Sequence, residues 1–259
     1  MGSRTRWREG VAGWAALALA LLVWEGAARL WPSRYFPPVS QVLATFREVM
    51  LSGKVIGGHI LPSLRRMAVG YGIAAACGTV LGGALGYWRA LFQVVEPVVE
   101  FLRAIPPPVL IPFTLLLLGL GDAPKILVIA FGCLWPVLLN AIDGTRNVNE
   151  TFKDTARLFG RTSTEIAWRV VVPAALPQVF AGMRTSLSLA LIMMVLSEMI
   201  ASSNGVGYFV LHAQRTFDVP AVYSGILLLG LFGYGLNRVF VRLEGVMLRW
   251  HRGYTAKRI

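Results

Sequence analysis

A chain of 259 residues that is 56% hydrophobic and only 15% charged has too few polar groups to cover a soluble core, since ordinary domains are about 45–50% apolar and about 25% charged. A mean hydropathy of +0.62 and an aromatic share of 11% exclude a disordered chain, and two cysteines exclude a disulfide-stapled scaffold. The excess of 25 Lys and Arg over 13 Asp and Glu does not describe a nucleic-acid surface. The basic residues stand at the ends of long uncharged runs, where orientation in a membrane accounts for them.

Uncharged runs predict six spans, each needing about 20 apolar residues. The first runs from Val11 past Glu25 to about Trp31. Arg4, Arg6 and Arg8 ahead of it, with Ala27 and Ala28 at its end, resemble a signal peptide. The apolar stretch continues to Leu30 and Trp31, and Arg29 stands where cleavage needs small neutral residues, so an uncleaved helix fits better. Pro38-Val39-Ser40 then opens a short amphipathic stretch, Val42, Leu43, Phe46, Val49 and Met50, that closes at Gly53 and is expected on the membrane surface. The second span is Met67 to Trp88. Gly78, Gly82 and Gly86 form one smooth face on it, against which a helix of this chain or of a second copy can pack closely.

The third span is placed at Ala104–Gly121, the fourth at Ile126–Ile142, the fifth from Thr185 through Glu198 to about Ala201, and the sixth at Val219–Asn237. With the N-terminus inside, sixteen of the 25 basic residues fall in inner segments and eight in outer ones, while Arg103 opens the third span. The bias places both termini in the cytoplasm. Arg65 and Arg66 fit this poorly and are assigned to an interfacial turn before the second span.

Residues 143–182 are too many for a simple turn and carry a helical pattern. Asp154 to Phe159 suits a helix that Gly160 ends or bends. Thr162-Ser163-Thr164-Glu165 offers a new N-cap with an acidic first turn. A second short helix, Glu165 to Val172, is expected to stop at Pro173 and Pro177. With Arg157, Arg161 and Arg169 exposed, the loop is either a docking surface or a segment packed on its own bundle.

Pro106, Pro107, Pro108 and Pro112 remove helix hydrogen bonds in the third span, which makes a kink that lines a wet pathway or one that serves packing. Arg103 is costly in lipid, about 2.5–3.5 kcal/mol near the centre. It either snorkels at the cytosolic end or faces the pathway. Glu198 near the outer end of the fifth span is either a gate or pathway group or a structural partner of an Arg or of backbone. Cys77 and Cys133 read as small apolar residues. His59, His212 and His251 are far apart, and no nucleophile stands beside a base, so neither an enzyme nor a metal site nor a cofactor is expected. The only Gly-Lys pair, Gly53-Lys54, is followed by Val55, which is no phosphate-binding loop.

Asp154-Thr155-Ala156, three residues, Gly160, nine residues, then Val170-Val171-Val172-Pro173 resembles the cytoplasmic coupling motif of ABC importer permeases. That motif is Glu-Ala-Ala, three residues, Gly, nine residues, Ile-x-Leu-Pro; Asp for Glu and Thr for Ala are departures from it. Ser63-Leu64-Arg65-Arg66 with Gly70, Leu102-Arg103-Ala104-Ile105-Pro106 through Pro112, Gly119-Leu120-Gly121 with Lys125, Trp135 to Asn140, and Ala201 to Gly207 resemble the nitrate, sulfonate and taurine branch. The resemblance covers roughly residues 37–245. It implies an all-α polytopic membrane protein, six transmembrane helices and a cytoplasmic coupling-helix loop, making one permease domain over residues 1–259.

The implied function is a permease subunit in the bacterial plasma membrane that passes a small solute. The solute is expected to be an anion such as a sulfonate, taurine or nitrate. The implied partners are two ABC ATPase subunits, an extracytoplasmic solute-binding protein and a second permease copy. Asp154, Thr155, Ala156, Gly160, Arg161, Glu165, Val170, Val172 and Pro173 become the candidates for coupling to the ATPase. Arg103, Pro106, Pro112, Asn140 and Glu198 become those for the pathway. The alternative is a secondary transporter, for which Glu198 is the one candidate ion-coupling carboxylate.

Overall fold

The computed structural model describes residues 2–250. Arg252, Lys257 and Arg258, counted above for sidedness, lie outside the described residues, as do the side chains of Arg4, Arg6 and Arg8. Apart from one isolated bridge between Ser33 and Phe36, the regular structure of the described residues is helical. In chain order the helices are α1 (Gly2–Leu30), α2 (Val39–Leu51), α3 (Gly53–Val55), α4 (Leu61–Tyr87), α5 (Arg89–Ala104), α6 (Leu110–Leu118), α7 (Ala123–Arg146), α8 (Glu150–Leu158), α9 (Ser163–Ile166), α10 (Val172–Ala201), α11 (Val206–Arg215) and α12 (Val219–Met247).

Among the described residues, five stretches are long and apolar enough to cross a membrane: Gly13–Leu30, Gly53–Tyr87, Ala123–Arg146, Ser163–Ala201 and Val219–Met247. A sixth is broken, with Arg89–Ala104 and Pro107–Leu118 meeting at 74°. The third span therefore begins at Arg89 and not at Ala104. Glu96, Glu100 and Arg103 interrupt its apolar run; they are exposed and border the stripe of Phe92, Val95, Val99 and Leu102, which packs in a cluster with Trp135, Leu138 and Ile142 of α7. The break falls at Pro106, and Pro107–Val109 forms one tight 3₁₀ turn, because three successive prolines supply no N–H for an α-helical ladder.

Pro173 and Pro177 do not end the preceding helix. A π segment, Ala167–Val171, carries α9 straight into α10, and a second one, Ile56–Ile60, leads into α4. In each, the residue just before a proline, Val172 or Leu61, donates its N–H five residues back, to Ala167 O or Ile56 O. The widened turn makes room for the ring of Pro173 or Pro62, which would otherwise clash with the carbonyl four residues earlier. The second and fifth spans are thereby much longer than their uncharged runs.

The centre of the bundle is α7, flanked by α4 and α10. Met67 and Ala74 of α4, Ile129 and Cys133 of α7, and Ala190, Met193 and Met194 of α10 form the buried core. The glycine face of α4 packs on α7 of the same chain. A Cβ at Gly78 would stand 2.8 Å from Val137 Cβ, one at Gly82 would stand 2.5 Å from Leu138 O, and one at Gly86 would stand 2.7 Å from Thr145 Cβ. On the other flank, α2 rests on α12, where Ser224 Oγ donates to Val42 O at 3.1 Å. The Glu25 carboxylate of α1 caps the start of α2 by accepting from Ser40 N at 3.0 Å and Ser40 Oγ at 2.8 Å. Trp24, stacked on Phe36, donates to Pro37 O at 3.1 Å; most of α1 from Gly13 to Val23 is exposed.

Candidate coupling loop and membrane pathway

The segment after α7 is built from local rules. Asn149 caps α8 by accepting from Thr151 N at 2.9 Å. At its other end Gly160 takes φ +73°, Gly160 N donates to Arg157 O and Arg161 N to Ala156 O. This is a Schellman closure, and it needs a residue free to adopt left-handed backbone. Thr162 and Glu165 then form a reciprocal capping box that starts α9. Beneath these turns Val148, Ile166 and Val171 are buried, with Ala156 and Val170 packed against them. Tyr87 Oη donates to Ser163 O at 3.3 Å and ties the loop to the end of α4.

The same closure drives apolar side chains outward. Leu158 is 88% and Phe159 80% exposed at the corner that Gly160 turns, and Phe152 and Trp168 are exposed too. Of the coupling candidates, Asp154 pairs with Arg157 at 2.7 Å and Arg161 with Glu165 at 2.9 Å. Thr155 Oγ1 donates back to Thr151 O at 2.7 Å. Val170 and Pro173 are half-buried, and Val172 is exposed.

At the opposite end of the bundle the first turns of α4, the α6–α7 connection and the α10–α11 turn meet in a buried polar cluster; the sequence offers Glu198 a partner in an Arg or in backbone but does not single out Arg66. Arg66 is 3% exposed, so it does not lie on an interfacial turn. Its Nε donates to Asp122 Oδ1 at 2.6 Å, its Nη1 to Glu198 Oε1 at 2.9 Å and its Nη2 to Asn204 Oδ1 at 2.5 Å. Glu198, fully buried, also accepts from Ser63 Oγ at 2.8 Å and from Gly207 N at 3.0 Å. Ser63 Oγ in turn accepts from Val206 N. The enclosed carboxylate ties the first turns of α4 to the end of α10 and the start of α11. The signal lay in the sequence: Arg65, Arg66, Asp122 and Glu198 all fall at the same end of their spans, and charges there must pair.

The pathway candidates separate. Asn140 is half-buried: its Nδ2 donates to Pro136 O at 2.8 Å and its Oδ1 accepts from the exposed Gln178 at 2.9 Å, which knits α7 to α10. Pro106 and Pro112 are exposed on the broken span. Arg103 closes α5, pairing with Glu100 at 2.5 Å, and both are about half exposed. It is not at the end of the bundle. Phe92 lies under Arg146 at 3.9 Å, and Pro107 packs beside Gly132, so α5 runs antiparallel to α7 and Arg103 comes level with its middle. From Arg89 it is ~21 Å along the helix.

The six apolar spans, one broken at prolines, and the protruding loop with its apolar corner define a polytopic transport subunit. A family model described as the binding-protein-dependent transport system inner membrane component matches residues 68–247, and the chain belongs to that family. It is 31% identical over 240 residues to the permease SsuC of Bacillus subtilis, named for aliphatic sulfonates transport, covering 92% of this chain and 86% of that one. It is 28% identical over 235 residues to the nitrate import permease protein NrtB of Synechococcus elongatus, covering 86% and 84%. Among solved structures, an inward-facing MetNI methionine ABC transporter matches with a TM-score of 0.65 at 18% identity, over 74% of this chain and 95% of that one; the shared property is the fold. The family is a transport component, not a catalytic one.

Proposed function

We propose that this chain is the membrane-spanning subunit of an ATP-driven importer for a small anion, a sulfonate, taurine or nitrate. Two copies form the pathway, two ATPase subunits dock on residues 150–173, and a solute-binding protein meets the opposite end. The observation that carries this is the corner at Gly160. A pinned loop that exposes Leu158 and Phe159 beyond an apolar bundle is built to fill a pocket on a partner. The charge bias of the sequence supports a cytoplasmic position for this end and for both termini. The solute class follows from the relatives named for sulfonates and nitrate. A secondary transporter fits less well, because Glu198 is already engaged by Arg66, Ser63 and Gly207 N–H. Proteoliposomes holding the permease with its ATPase and loaded binding protein should take up labelled taurine, an alkanesulfonate or nitrate only with internal ATP. Uptake driven by an ion gradient without ATP would reject the proposal.

A further inference from the structure

A cavity of about 440 Å³ lies where the α4–α5 junction, the end of α7 and the start of α8 meet, and its lining is strongly basic. Arg89, Arg146, Lys153 and Arg157 converge on it, against one carboxylate, Glu150. That carboxylate is already engaged: Lys153 Nζ donates to it at 3.0 Å. Lys153, then the more distant Arg157 and Arg89, hold it below the usual carboxylate range. Arg157 is paired outward with Asp154. Arg146 lies on the Phe92 ring, and its Nε–H is buried without an acceptor. Four cationic side chains against one engaged carboxylate leave the cavity short of acceptor oxygens, which an anion with several of them would supply. The volume suits a small ligand. Tyr87 and Trp88, exposed beside it, are residues of the kind found at lipid headgroup level.

We propose that this cavity binds a phosphate group between Arg89 and Arg146, either the headgroup of an anionic phospholipid or a free phosphate anion. Arg supplies the fork that matches phosphate oxygens, and a basic pocket at the headgroup-facing end of a bundle is the setting in which lipid phosphates are held. The site joins α5, α7 and α8, so its occupant braces the coupling loop against the bundle.

The test uses the full chain in nanodiscs, with thermal unfolding followed by tryptophan fluorescence. Two probes are compared: discs of phosphatidylcholine with and without phosphatidylglycerol, and phosphatidylcholine discs titrated with sodium phosphate against sodium chloride of equal ionic strength. A rise in unfolding temperature with phosphatidylglycerol assigns the lipid source, and a saturable rise with phosphate alone assigns the free anion. In either case the rise should be lost in Arg89→Gln and Arg146→Gln and kept in Arg215→Gln, whose side chain is exposed on α11. Removing one charged hydrogen-bond donor should weaken phosphate binding about tenfold or more. No rise with either probe, or the same rise in Arg89→Gln and Arg146→Gln as in wild type, overturns the proposal. Arg89, at an exposed helix start, decides the matter alone if Arg146→Gln does not yield monodisperse protein.

Discussion

Arg66 and Glu198, 132 residues apart in the chain, form a buried ion pair at 2.9 Å that fastens the head of α4 to the end of α10. Both lie where water is excluded, so each charge is tolerable only because the other, together with Asp122, Ser63 and Gly207 N–H, completes its shell. Arg66→Gln or Glu198→Gln should each destabilise the protein by about 3–5 kcal/mol, the cost of leaving one buried charge uncompensated. The double substitution should cost clearly less than the sum. Thermal unfolding of the four forms in one detergent measures this, and strict additivity would contradict a direct pair.

The glycine face gives a paired test. Gly82 and Gly83 are neighbours on α4, yet a Cβ at Gly82 would lie 2.5 Å from Leu138 O, while one at Gly83 meets nothing within 4 Å. Gly82→Ala must push α4 away from α7 and should cost about 1–3 kcal/mol. Gly83→Ala should be neutral or stabilising by up to about 1 kcal/mol, since alanine is the better helix former. Equal effects at the two positions would show that α4 does not pack on α7 through this face.

What the sequence disclosed and what it hid follow from one cause. Uncharged runs mark lipid-facing and core helix well, so they locate α7 and the start of α12, although α12 runs on past Arg238 and Arg242 to Met247. Charge misleads where the helix has a wet or paired face. Glu96, Glu100 and Arg103 hid most of α5, and Arg65 and Arg66 hid the first turns of α4. Proline misleads where a π turn absorbs it, as at Pro62 and Pro173. The corner at Gly160 was legible because capping residues and a left-handed glycine act locally. The Arg66 cluster was legible only in part: an Arg partner for Glu198 was open from the sequence, but no local pattern records that side chains from three distant segments meet there.

Sidedness is tested by labelling. On a background lacking Cys77 and Cys133, single cysteines at Ser52 and Ser203 should react with an impermeant maleimide in sealed right-side-out vesicles, and one at Thr164 should not. Ser203 and Thr164 are exposed in the fold, so only the membrane separates them. Reaction at Thr164 in sealed vesicles would invert the topology.

At Gly160 a side chain would have to adopt φ +73°, which costs a branched residue roughly 1–2 kcal/mol. Nothing crowds the position itself, so the strain is in the backbone and the corner reopens. Gly160→Val should remain in the membrane at near-normal amounts but lose most of its co-purifying ATPase and most of its ATP-driven uptake, because Leu158 and Phe159 no longer protrude together. Gly160→Asn, which tolerates left-handed backbone, should retain more of both. Wild-type co-purification and uptake in Gly160→Val would refute the corner as the docking point.

Arg103 and Glu100 pose the sharpest functional question, since a half-exposed ion pair at 2.5 Å sits level with the middle of α7. At that depth charges face protein or a water-filled cavity, not lipid. The broken helix that follows, with Pro106 and Pro112 exposed, also leaves carbonyls that require water or polar partners. Arg103 is therefore expected to line the pathway at the seam between two copies, with Glu100 holding its guanidinium until an anion competes for it. A guanidinium fork grips a planar or tetrahedral oxyanion through two parallel hydrogen bonds, which an ammonium group cannot reproduce. Arg103→Lys should keep the charge and the fold but lose much of the uptake, on the order of tenfold for about 1.4 kcal/mol of lost contact, while Arg103→Gln should lose nearly all of it. Both variants should still co-purify the ATPase, because the coupling loop is untouched. ATP-driven uptake in proteoliposomes, measured for each variant beside ATPase recovery, reads the two effects separately. Full uptake by Arg103→Gln would remove Arg103 from the pathway and leave its pair with Glu100 as packing alone.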